Sequence, residues 1–322
     1  MNRRGFLLTS TGAGAAALLS PVLGHGATAE AVDASYAAFP QSYVVEFRVP
    51  PPQQQAVLQA VTVLSKELQG RTGFLGATLK QMQGESTMVK NYPPVFKGIL
   101  AAASVESASE GRLPYANVLL LRFANAAAMP RADLDAWVQN RLAPHVQFTP
   151  PGASESLEFT PLTGVYATLI AGDRHAIYDA LTSITQFLTR QDDTPQRKLV
   201  TVINHVMVPD TLHTELEAKV GPLLKVAQNT FEPKDDPNGV GQAGSRDNRD
   251  YRKAVSTEIL VNTEPYGSLR NYLMHGVWES VWDHENSHLD PRFQHAFMAV
   301  APYVVSGPVE PFYHTLFLEN RA

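Results

Sequence analysis

The strongest constraint on the fold is a repeat. Val49-Pro50 and Val208-Pro209 lie 159 residues apart, and Ala143-Pro144-His145-Val146 and Ala301-Pro302-Tyr303-Val304 lie 158 apart. Both halves run through the same elements in the same order. In the first, residues 43–49 are a β-branched and aromatic run stopped by Pro50, which predicts a strand. From Gln53 to Leu68, Val57, Ala60, Val61, Leu64 and Leu68 recur at helical spacing, and Gly70 and Gly73 close the helix. Strands follow near 74–79, at 118–123 and at 162–170, with helices at 131–145 and 176–188; residues 85–116 read as irregular, with a short helix near 95–103. The second half predicts a strand at 198–208, a helix at 212–228, strands at 257–262 and 269–278, a mostly helical 282–303 and a last strand at 312–318. Matching landmarks at nearly one offset point to internal duplication.

Each half therefore reads β-α-β-β-α-β, a ferredoxin-like unit of the α+β class with helices on one face of an antiparallel sheet. The expected boundaries are 41–170 for the first unit, 171–197 for a connector helix and linker, and 198–319 for the second unit; 322 residues suffice for both. The opening strand of the second half is apolar on both sides. Val200, Val202, Val206 and Val208 share one face, and Ile203 and Met207 the other. Both faces must be buried, which is solved if the two sheets together make a barrel-like core.

The N-terminus carries an address. Arg3-Arg4-Gly5-Phe6-Leu7 followed by an apolar run through Leu23 looks like a twin-arginine signal, with small residues around Ala27-Thr28-Ala29 as a cleavage site. Residues 1–31 are thus expected to be removed, giving a periplasmic or secreted protein. The run is short and rich in Gly and Ala, so no membrane span is expected after cleavage. With no cysteine, disulfides, thiolate metal sites and cysteine nucleophiles are excluded. A net charge of −5 and the lack of a basic stripe argue against nucleic acid.

The second half also carries a recognisable pattern. A strand ends in Gly276-Val277-Trp278-Glu279-Ser280, and His288-Leu289-Asp290-Pro291-Arg292-Phe293-Gln294-His295-Ala296-Phe297 follows. This resembles the antibiotic-biosynthesis-monooxygenase (ABM) family of dimeric α/β barrels over residues 198–319. In residues 41–170 topology and the two landmarks are what match. Two fused units imply a pseudo-dimer in place of the usual homodimer; further homo-oligomerisation stays open. The polar stretch 234–254 is an insertion relative to the family, and export separates this chain from polyketide tailoring.

The resemblance implies a small oxidoreductase, a cofactor-independent monooxygenase acting on an aromatic or quinone-type molecule. Asn204 interrupts an apolar strand face; the resemblance assigns it to a substrate oxygen or dioxygen, whereas a structural amide is the plainer reading. His288 stands at the family's histidine position as a general base, with helix packing as the alternative. Trp278 is a stacking wall or plain core. Tyr272 and Arg270 share its strand face as further substrate contacts, Arg270 standing near the strand start where exposure is expected. His295 could face the same cavity. His205 points opposite to Asn204, so at most one of that pair faces the interior, and Asn204 is the one expected to look into it.

Two rival readings complete the set. His284-Glu285-Asn286-Ser287-His288 fits H-E-x-x-H, but Asp290-Pro291 breaks the helix, and the spacing to His295 lacks the glycine turn of the usual third ligand; no metal is expected. Haem is the alternative cofactor, with His288, His295 or His314 as axial ligand, although haem-degrading barrels place their histidine about where Phe297 stands. A non-catalytic periplasmic binder of small molecules is the remaining alternative. The first unit, with Val45 in the place of Asn204 and Trp137 near that of His295, is expected to be structural.

Overall fold

A computed structural model describes residues 33–83, 110–111, 113–228, 254–288 and 291–321. The expected signal segment, the short helix near 95–103 and nearly all of the 234–254 insertion lie outside these residues. The first unit contains β1 (Gln41–Val49), α1 (Gln54–Gln69), β2 (Phe74–Met82), β3 (Tyr115–Phe123), α2 (Arg131–Trp137) and, after the small hairpin β4 (Gln147–Phe148) and β5 (Leu157–Glu158), β6 (Leu162–Asp173). Then come β7 (Ile177–Tyr178) and α3 (Leu181–Leu188). The second unit contains β8 (Val200–Pro209), α4 (His213–Gln228), β9 (Ser256–Asn262), β10 (Leu269–Trp278), α5 (Val281–Ser287), α6 (Pro291–Val300), β11 (Ser306–Val309) and β12 (Phe312–Asn320).

The strands form one antiparallel sheet in the order β1-β3-β2-β12-β8-β10-β9-β6, and β6 returns to pair with β1. Eight strands thus close a ring. Each unit supplies four, and the two seams join the second strand of one unit to the last strand of the other, β2 to β12 and β9 to β6. The barrel-like core expected from β8 is there, closed by edge pairing. Closure leaves no free edge in the ring and gives every strand an inner and an outer face.

Outer faces meet helices. In the first unit Val57, Val61, Leu64 and Leu68 of α1 and Leu134 of α2 pack on Tyr43, Val45, Phe47, Leu119, Leu121 and Leu79. Fully burying a side chain of this size contributes about 1.5–3 kcal/mol, so this seam is a main source of stability. In the second unit Leu216, Val220 and Leu224 of α4 and Ala296 and Val300 of α6 pack on Val206, Val208, Val261 and Tyr272. The inner faces meet one another in an apolar belt of Val44, Val118, Leu120, Tyr166, Ile203, Leu260, Leu273 and Tyr313.

One end of the barrel interior is ionic. Lys80 is fully buried; its Nζ donates to Asp193 and to Thr201 Oγ1 (2.8 Å) and Thr315 Oγ1 (2.9 Å). Asp193 belongs to the segment between α3 and β8, so the connector closes this end. Arg122 of β3 donates through both terminal nitrogens to Glu258 of β9, one bond being 2.9 Å long. The pair ties one unit to the other. His275 Nδ1 lies 3.4 Å from Glu258 Oε1, but burial and the neighbouring Lys80 and Arg122 cations push its pKa well below the usual value. The imidazole is neutral, and that contact is not an ion pair.

Two element boundaries depart from the sequence expectation for local reasons. The helix expected over 131–145 is α-helical to Trp137, widens to a π turn over Val138–Leu142 and tightens to a 3-10 turn over Ala143–His145. Pro144 lacks an N–H and its ring crowds the carbonyl four residues back, so the α ladder cannot continue through it. The helix expected from 176 begins at Leu181, because Asp173 Oδ1 accepts the backbone N–H groups of His175 (2.7 Å) and Ala176 (3.0 Å) and fixes a turn that leads into β7. No helix among the described residues is long and apolar enough to cross a membrane.

Candidate functional site

The seam between β8 and β10 and helices α5 and α6 holds the polar cluster best suited to chemistry. Alternation on β8 puts Val202, Asn204 and Val206 on the outer, helix-facing side and Ile203 and His205 on the inner side. The sequence expectation that Asn204 looks into the interior shared by the two halves is therefore corrected. Its side chain stands on the opposite face, and His205 occupies the barrel side, 3.4 Å from Glu46. Asn204 Nδ2 donates to Glu310 Oε1 at 3.1 Å. Its Oδ1 is buried without a hydrogen-bond partner among the described residues, a condition that costs about 1–3 kcal/mol.

Glu310 comes from the turn between β11 and β12. That turn reaches β8 because β11 lies close along it, with Ser306 opposite Met207 and Val309 opposite His205. Gly307, at φ +98°, makes the approach possible; a Cβ there would lie 2.3 Å from the His205 carbonyl oxygen.

His284 enters from α5 and His288 from the turn just after it. Ser280 starts this helix: its Oγ accepts the Asp283 N–H (3.1 Å) and donates to Asp283 Oδ2 (2.7 Å), a reciprocal cap. Pro291 opens α6, where its missing N–H costs nothing. Between these signals the two histidines stand one helical turn apart, and their ring centroids lie 4.6 Å from each other. One donor atom each from His284, His288 and Glu310 all fall within 4.8 Å of one another. Sequence reasoning noted the H-E-x-x-H spacing, set it aside because His295 is a poor third ligand, and missed Glu310. The motif carries no signal for Glu310, which enters through the register of β11.

Aromatic rings enclose the cluster. Trp278 is buried and its ring lies 5.3 Å from that of His284. It folds back over Gly276, where a Cβ would meet Trp278 Nε1 at 2.9 Å, so glycine at 276 makes room for the indole. Phe312 touches His284 from the other side at 5.3 Å, and Phe293 stacks on His288 at 4.6 Å. Burial lowers the His288 pKa to about 4 and that of His284 well below the ordinary imidazole value, the second also because of its neighbour. Both rings are neutral at neutral pH and carry lone pairs. His284 Nδ1 has no hydrogen-bond partner among the described residues.

The other expected site residues lie elsewhere. Tyr272 is on the same strand face as Trp278, but six residues of strand, about 20 Å at 3.3 Å each, separate them; its hydroxyl donates to Glu217 Oε1 at 2.9 Å. Arg270 is buried, not exposed, and is engaged by Asp210 Oδ1 (2.6 Å), Asp33 Oδ2 (3.3 Å) and the Asn262 carbonyl oxygen (3.1 Å). Neither points at Asn204. His295 is on the exposed side of α6, where it lines a shallow open groove of about 540 Å³ with Lys219, Pro222 and Arg292. That groove does not include any member of the histidine cluster. Two of the three axial candidates for haem are poorly placed: Phe293 and His284 pack on His288, and His295 faces outward.

The comparisons agree with this architecture. Residues 41–128 match the ABM-like domain, and residues 169–316 match the family described as CT0912-like, C-terminal domain. The ABM-like match thus falls on the first unit, whereas the motif resemblance rests on the second. No curated protein matches the chain. Among solved structures, a candidate monooxygenase of Fusobacterium nucleatum subsp. nucleatum aligns with TM-score 0.50 at 10% identity, covering 88% of this chain and 96% of that one. An anthrone oxidase-like protein aligns with TM-score 0.49 at 10% identity, covering 88% and 94%. A candidate monooxygenase of Lactobacillus acidophilus NCFM aligns with TM-score 0.49 at 8% identity, covering 88% and 97%. At 10% identity the first of these alignments speaks to the fold alone.

Proposed function

We propose that the protein is an exported ABM-like oxidoreductase, a monooxygenase of an aromatic or quinone-type small molecule, and that its site is the seam between β8, β10, α5 and α6. The observation that carries this reading is the group formed by the buried His284 and the half-buried Asn204, His288 and Glu310 inside aromatic walls, in a seam whose counterpart in the first unit is apolar. Residues that only hold a core together rarely include four such groups, because each costs free energy unless satisfied. The ABM-like match and the fold support the reaction class; the Arg3-Arg4 start supports export.

In this reading a flat substrate ring takes the place of Phe293 against His288, with Trp278 as the far wall. The Asn204 amide holds a substrate oxygen, and the neutral His288 imidazole receives the proton lost from carbon or phenol. The substrate anion then passes an electron to dioxygen, recombines with it at carbon and takes the proton back from the His288 imidazolium. Loss of water from the resulting hydroperoxide leaves a ketone or quinone, so one oxygen atom enters product and the other leaves as water. Oxygen uptake by the purified mature protein with anthrone-type and quinol substrates tests this. Uptake that falls at least about 100-fold in Asn204→Val and in His288→Ala supports it. A protein that binds such rings but consumes no oxygen is the non-catalytic binder instead.

A further inference from the structure

We propose that His284, His288 and Glu310 bind one divalent first-row transition-metal ion. Two imidazoles and one carboxylate are a donor set used for zinc and for non-haem iron, whereas magnesium and calcium prefer oxygen donors alone. The three donor atoms lie within 4.8 Å of one another. Zinc holds such donors at about 2.0–2.2 Å, which places them about 3.5 Å apart. Drawing the set together by about an ångström is within reach of side-chain rotation. Three protein donors leave a coordination position for water or a substrate oxygen, the pattern of a catalytic and not a structural centre.

Two further observations point to a ligand here. Asn204 Nδ2 donates to Glu310 Oε1, the outer contact that orients a metal-binding carboxylate. The other end of the same amide, and Nδ1 of His284, are buried without a hydrogen-bond partner among the described residues. Metal-bound water would give the amide oxygen the donor it lacks. The sequence alone argued against a metal because His295 is a poor third ligand; Glu310 supplies that member from another element. The inference deepens the proposed function and rests on its location, not on its reaction. A bound ion would occupy the His288 lone pair that takes the substrate proton in the metal-free reaction, and Lewis acidity at a substrate oxygen would replace that base.

The test uses the full mature chain, stripped with a chelator and titrated with Co²⁺, whose visible spectrum reports ligation, with Zn²⁺ as competitor. One Co²⁺ per chain, displaced by one Zn²⁺, is expected. Removing an outer-shell contact weakens metal affinity about 10–100-fold. Asn204→Ala should fall in that range, and His284→Ala, His288→Ala and Glu310→Gln should lose at least about 100-fold. His295→Ala, on the outer surface, should bind as the parent does. The proposal is overturned if the parent chain takes up Co²⁺ no better than the His284→Ala/His288→Ala double variant, or if Glu310→Gln leaves the affinity unchanged. Metal-free melting curves verify that each variant is folded, and Glu310→Gln keeps the side-chain shape. Oxygen uptake is not a readout, so failure of the enzymatic reading and failure of metal binding are separable.

Discussion

The outer seams of the two units are built on one plan and filled differently. Val45 of β1 and Asn204 of β8 stand 159 residues apart at the same place in the repeat. Val45 is fully buried in the cluster that holds Leu134, Val138 and Leu64; Asn204 meets Glu310, which stands beside His284 and His288. The strand-to-helix connection differs as well. Seven residues separate β3 from α2, with one short turn at Ala126–Ala128, whereas twelve separate β10 from α6, and these include α5. The extra turns bring in both histidines. Duplication thus leaves one seam as packed scaffold and lets the other hold polar groups that a small domain standing alone would tolerate poorly, since the barrel closes on both.

The largest effect expected is on that mutual dependence. Arg122→Ala leaves Glu258 buried and unpaired across the seam between units, and breaking a buried pair in this way costs about 3–5 kcal/mol. Urea denaturation should show a single transition shifted to lower denaturant for the whole chain. Two separate transitions, with only one shifted, would break the comparison by showing that the units stand independently.

Next is the exchange of the two seams' marker residues. Asn204→Val makes the second seam resemble the first, and oxygen uptake should fall at least about 100-fold, equivalent to about 2.7 kcal/mol of transition-state stabilisation, with the fold kept. The reverse change, Val45→Asn, buries an amide among Leu134, Val138 and Leu64 and should cost about 1–3 kcal/mol of stability. Melting of Val45→Asn at the parent temperature would mean that the first seam has polar partners in reserve.

The smallest effect concerns acid. His275 and His284 are buried and His288 is half-buried in the second unit, all three with depressed pKa values, whereas the first unit buries no histidine among its described residues. A histidine with a folded pKa below its unfolded value of about 6.5 binds a proton more readily when unfolded. Stability is therefore retained above pH 6.5 and lost as pH falls below it, by up to about 1.4 kcal/mol per pH unit for each such group. Replacing His275 by Gln should flatten that slope by about one proton's worth; a slope unchanged in this variant would remove His275 from the acid response.

Much of the architecture was legible from hydrophobic period and punctuation. The repeat, the order of strands and helices and the two buried faces of β8 all follow from residues near each other in sequence, where alternation and proline act directly on the backbone. The histidine pair was legible too, because one turn of helix fixes its spacing. Period two says that Asn204 and His205 face opposite ways; it cannot say which of those ways is inward, since that depends on which partner strands complete the ring. Closure put His205 inside and Asn204 beneath the helices. It also joined Lys80 to Asp193 and Arg122 to Glu258 across more than a hundred residues of chain, and it brought Glu310 to the histidines through the register of β11. Such contacts depend on long-range register, which only the assembled barrel fixes.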